Sequence, residues 1–188
     1  MSGDVIDRLA GIAPGTALDA VRRQRTEARE QAQASFDALF APLDVAAMAV
    51  AERAAVALFV ARLHGDGPAE ALYGGMLDAA LRDAVMAEAG GAAAEGPYGH
   101  YPAGPLSAED RAGPEWRAGP ELGARLAAAL THAHMLVFHP RDAAPRHMQA
   151  LVDAGWAADG IVTLSQLVAF LTFQIRVAVG LRAMIASA

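Results

Sequence analysis

Cysteine is absent from this chain of 188 residues, and so is lysine. Without cysteine there are no disulfides, no thiolate metal sites and no thiol-based reactions. Without lysine, all 15 basic residues are arginine, and they are scattered along a chain of net charge −6. A nucleic-acid groove needs a concentrated basic face, so neither DNA nor RNA is expected as a partner. Aromatic residues are scarce at 6%, and no segment has the alternating period of a strand. The start, "MSGDVIDRLAG", is acidic and lacks the basic and apolar regions of a secretory signal, so a cytoplasmic location is expected.

What the chain does have is alanine, and apolar residues reach 54%. That composition favours helix and close helix packing. Asp4 can cap a short helix, "VIDRLAGI", ended by Gly11 and Pro14. Thr16 and Asp19 resemble a capping box opening a long helix that runs to about Phe40. Leu18, Val21, Phe36 and Leu39 mark its apolar side, and Arg22, Arg25, Arg29 and Glu30 its solvated side. So modest a stripe suits an arm lying across a neighbouring element or a second subunit.

After a break at Pro42, "VAAMAVAERAAVALFVARLH" reads as a helix stopped by Gly65. Pro68 opens the next helix, which is expected to continue to Gly90 and Gly91. Glycine and proline then forbid long helices up to Pro120, while Tyr98, His100, Tyr101 and Trp116 offer anchors for an ordered loop. The second half is helical again. Asp142 is expected to cap the helix entered at Pro145, and Asp159 the final one. That final segment is long and apolar enough for a membrane span. However, Gln166, Gln174, Arg176 and Arg182 would be costly in hydrocarbon, so a bundle helix is expected, with no membrane partner. The expectation is one all-α domain over 1–188: an arm (1–41), a first helical hairpin (42–89), a Gly/Pro-rich loop (90–120) and a second helical half (121–188).

Two groups of residues could carry chemistry. At the helix junction, His64 and Asp66 could do general acid–base work, with Glu52 and Tyr73 projecting nearby. The simpler role is that His64 sits at a helix C-terminus, Asp66 caps the next helix, and Glu52 with Arg53 is a solvated pair. The second group is His132, His134, His139 and His147. His132 and His134 are two apart, which is not the three-or-four spacing of metal ligands on one helix, so no metal and no cofactor are expected. His132 and His139 share a helix face and could line a pocket. Arg176 could clamp a carboxylate ligand or pair with a core acid. Met48, Met76, Met86, Met135 and Met148 read as core filler.

The stretch "MAVAERAAVALFVARLHGDGPAEALY" resembles the core helix pair of the AhpD-like superfamily, which includes the carboxymuconolactone decarboxylases (CMD). "AGWAADGIVTLSQLVAFLTFQIRVAVGL" resembles its closing helix, and the N-terminal arm resembles that of a cysteine-free branch of CMD-domain proteins. The resemblance implies an AhpD-like helical bundle and a homo-oligomer. Where the family carries its Cys-x-x-Cys and histidine, this chain has Asp66, Ala69 and Tyr73; the family's proton-relay acid falls near Ala54. Thiol peroxidase activity is therefore not expected. Three functions stay open: an oligomeric protein without that activity; a cysteine-independent acid–base enzyme with His64 as base, Asp66 as orienter and Arg176 as clamp; and an antioxidant-related protein working with a cysteine-bearing AhpD-like partner.

Overall fold

A computed structural model describes residues 3–187. Nine α-helices and three short 3-10 turns are present among them, and no strand. The only sheet-like pairing among the described residues is an isolated antiparallel bridge between Gly99 and Arg111.

The chain opens with α1 (Val5–Ala10), α2 (Ala17–Arg23) and α3 (Thr26–Phe40). Asp4 caps α1 by accepting from the Asp7 amide, and Gly11 ends it at φ 70°. The long helix expected up to Phe40 is thus two helices, broken at Gln24 and Arg25. Thr16 does accept from the Asp19 amide, but Asp19 answers the Gly15 amide. The expected solvated face is also corrected. Arg25 and Glu30 are exposed, but Arg22 and Arg29 turn inward. Arg22 reaches Asp4 (2.6 Å) and Asp7 (2.7 Å); Arg29 reaches Asp4, Asp7 and Asp19. The break is what lets two arginines seven residues apart grip the same carboxylates. Val21, assigned to the apolar side, is exposed, whereas Phe36 is buried.

Next come α4 (Val50–Leu63), α5 (Gly67–Gly74) and α6 (Ala79–Gly90). Ala54 to Ala61 are all essentially inaccessible, so α4 is the central helix and is apolar on every side. It packs against α5, α6, α7 (Gly123–Phe138) and α9 (Ala158–Ala186). The helix starts at Val50, later than its apolar run, and arginine side chains take the preceding carbonyls. Arg53 donates to the Met48 carbonyl and Arg125 to that of Ala47. Gly160 lets α9 approach the same loop: a Cβ there would lie 2.7 Å from the Ala47 oxygen. The single helix expected from Pro68 to Gly90 is split. Gly74 and Gly75 are poor helix formers, and Asp78 caps α6 by accepting from the Leu81 amide.

The long loop is ordered over the helices. Tyr98 is buried and its amide donates to the Phe138 carbonyl (2.6 Å). Trp116 stacks on Phe59 of α4 with centroids 5.1 Å apart. Beyond α7, α8 (Pro145–Asp153) leads into α9. Neither expected cap forms. Ala144 is the N-cap of α8 while Asp142 binds histidines, and α9 starts at Ala158, placing Asp159 inside its first turn. The length and composition of α9 would suit a membrane span, but it packs on α1, α4 and α7. Among the methionines, Met48 and Met135 are buried and Met148 is exposed.

Candidate functional site

At the junction, His64 is the C-cap of α4, Gly65 turns the chain at φ 63°, and Asp66 is the N-cap of α5. Asp66 is buried. One carboxylate oxygen accepts from the Ala69 amide (3.0 Å) and the other pairs with Arg182 from α9. Arg182 also donates to the Leu9 carbonyl (2.8 Å), so one guanidinium ties α1, α5 and α9 together. Asp66 therefore has no oxygen without a partner. Arg176, the arginine expected to pair with a core acid, is exposed; Arg182, one helical turn and a half further on, takes that place.

The other junction candidates do not converge with Asp66. The Tyr73 hydroxyl is buried and donates to the Gln174 side-chain oxygen; burial pushes its pKa well above the usual range. The Gln174 amide nitrogen has no partner. Glu52 accepts from the Ala49 amide (2.9 Å) and from Arg125 (2.7 Å), so it caps α4 at the far end of that helix. Its expected partner Arg53 is not solvated but buried, donating to the Met48 and Leu39 carbonyls. Burial, helped by the nearby Arg176 charge and opposed by Asp66, lowers the His64 pKa. His64 lies 3.5 Å from the Thr172 hydroxyl.

The second group does share a space. A cleft of about 420 Å³ lies between α7, α8 and the loop segment 115–118, and His132, His134, His139 and His147 all line it. Its apolar surface comes from Trp116, Ala127, Ala128 and Met135. Each ring is held. The Ser165 hydroxyl donates to the Ile161 carbonyl (2.9 Å), so His132 Nε2, 3.2 Å away, is the donor in its own contact with that oxygen. His132 Nδ1 is then a bare acceptor, and it is buried without a partner. His134 Nε2 donates to the Ala92 carbonyl (3.1 Å), and its ring lies against Trp116 and Phe138. His139 bridges Asp142 (3.1 Å) and the Pro114 carbonyl (2.9 Å), latching the loop to the end of α7. Burial, reinforced by the His147 charge, holds the His132 pKa down to about 4. His134 is likewise lowered to about 4 by burial, against its Ala92 hydrogen bond.

Sequence reasoning missed Trp116, Arg117 and Arg146 as parts of this cleft. Trp116 had a signal, as an aromatic anchor in a glycine-rich loop; the two arginines had none. No group of three or more His, Asp or Glu is placed to hold a metal among the described residues. The chain matches no protein-family model, no curated protein and no solved structure.

Proposed function

We propose that this chain is a cysteine-free AhpD-like protein of the CMD type that works by binding a small molecule in the α7–α8 cleft, without thiol peroxidase activity and as a homo-oligomer. The family part of this reading rests on the helix pair around residues 48–73 and the closing helix from Ala154, and the lack of thiol chemistry on the absence of cysteine. The observation that carries the binding part is the contrast in commitment. Asp66 spends both oxygens on Ala69 and Arg182, while the histidine-lined cleft keeps a free volume in the range of small-molecule sites.

Binding is favoured over acid–base catalysis on energetic grounds. A general base works best with a pKa near the working pH, and rings lowered to about 4 are weak proton acceptors at neutral pH. His132 and His134 act instead as neutral, directional hydrogen-bonding groups in a largely apolar wall. Two measurements test the reading together. Pure protein supplied with an alkyl hydroperoxide and a dithiol should show no turnover. A small-molecule fragment screen followed by NMR should perturb Thr131, His132 and Met135. Rapid peroxide consumption, or fragments that all map to His64 and Asp66, would overturn it. Light scattering checks the oligomer: a monomer at micromolar concentration removes that part.

A further inference from the structure

The arginines of this protein differ in how much of their hydrogen-bonding capacity is used. Arg22, Arg29, Arg53, Arg125 and Arg182 each make two or more hydrogen bonds to carboxylates or carbonyls. Arg117 and Arg146 are exposed and make no hydrogen bond or ion pair among the described residues, and both line the cleft. They reach it from different elements: Arg117 from the loop beside Trp116, and Arg146 from the first turn of α8, followed directly by His147. Both line the same space as the His147 ring. His147 Nδ1 accepts from the Ala144 amide (3.1 Å), leaving Nε2 as the ring's other polar atom.

Two carboxylates also line the cleft and offset the two guanidiniums in formal charge. Asp142 is committed to the His139 ring and the His100 amide. Glu115 is exposed and stands alone against two guanidiniums. The mouth therefore offers two guanidiniums with no hydrogen-bond partner in the protein, and it sits beside an apolar wall that carries an indole.

Resting on the cleft reading above, we infer that the ligand is a flat apolar molecule bearing one oxyanion, held by Arg117 and Arg146 at the mouth with its body against Trp116. Planar guanidiniums match the paired oxygens of a carboxylate or a phosphate monoester, and the apolar wall of Trp116, Ala127, Ala128 and Met135 suits a ring. The cleft volume of about 420 Å³ is in the range of small-molecule sites and accommodates a substituted ring.

Calorimetric titration of the full-length protein with benzoate, phenyl phosphate and neutral benzamide tests this. One or both anions should bind, benzamide should not, and the stronger anion tells carboxylate from phosphate. The surface substitutions Arg117→Gln and Arg146→Gln together should weaken that anion at least about tenfold while circular dichroism stays unchanged. Glu115→Gln should tighten it. Arg117→Lys keeps the charge but loses the fork, and should recover only part of the affinity. If benzamide binds as well as the anions, or the double glutamine variant binds them normally, the oxyanion assignment is wrong while the cleft survives as a site. If none of the three probes binds, and a fragment screen leaves Thr131, His132 and Met135 unmoved, the cleft reading falls with it.

Discussion

The α4–α5 junction and the α7–α8 cleft are built from the same kinds of residue, and they differ in where the hydrogen bonds end. Both hold a histidine near a carboxylate at a helix end. At the junction Asp66 ends on Ala69 and Arg182 and Tyr73 on Gln174, and only the Gln174 amide nitrogen is left over. At the cleft, His132 Nδ1, Arg117 and Arg146 end on nothing in the protein. A polar cluster closed on itself holds a fold together, whereas solvent-facing guanidiniums beside a cavity are open to a ligand.

Acid should separate the two regions most strongly. His132 and His134 have native pKa values near 4, below the usual 6.5 of an unfolded chain. Between those values the unfolded state binds more protons, so stability is full above about pH 6.5 and is lost as pH falls toward 4. Two such rings amount to several kcal/mol in order of magnitude. Urea titrations across this range should show the loss, and His132→Gln with His134→Gln should flatten the slope more than His64→Gln does. If the His64 variant flattens it equally, the two regions are not distinct in this respect.

The next effect should come from the junction. Asp66→Ala removes a helix cap and strands Arg182, at a cost of about 3 kcal/mol in chemical denaturation. Ligand affinity at the cleft should not change; a shared loss would tie the two sites together. Tyr73→Phe leaves the Gln174 amide with no partner at either end and should cost about 1–3 kcal/mol. Adding Gln174→Leu should return part of that stability, because a buried amide is then no longer unsatisfied. The smallest effect concerns the arm. Arg29→Gln should cost about 1 kcal/mol, less at high salt, and should speed amide exchange in α1 before α4.

Local chemistry made several features readable in advance. Asp4, Gly65, Pro68 and the capping role of Asp66 act through backbone neighbours a few residues away, so spacing alone reveals them. The shared cleft of His132 and His139 was expected from their spacing, but His139 lies just past the end of α7 and His134, two residues from His132, lines the same space. The partners of the arginines were not readable. Arg22, Arg29 and Arg53 look solvated in one dimension, because a charged residue beside polar neighbours gives no sign of a carboxylate or carbonyl arriving from another helix. The same blindness hid Arg182 behind Arg176: both sit in one apolar helix, and only packing decides which meets Asp66.

The amino-acid sequence alone determined that this protein is helical, has no thiol chemistry, and turns sharply at Gly65. Those properties depend on residue type, helical period and backbone conformation, which are local. Tertiary structure alone decided which charges are spent and which are spare. The energy of a buried charge depends on partners brought in from distant segments, and it takes the folded chain to place Arg182 on Asp66 and to leave Arg117 and Arg146 beside an open cleft.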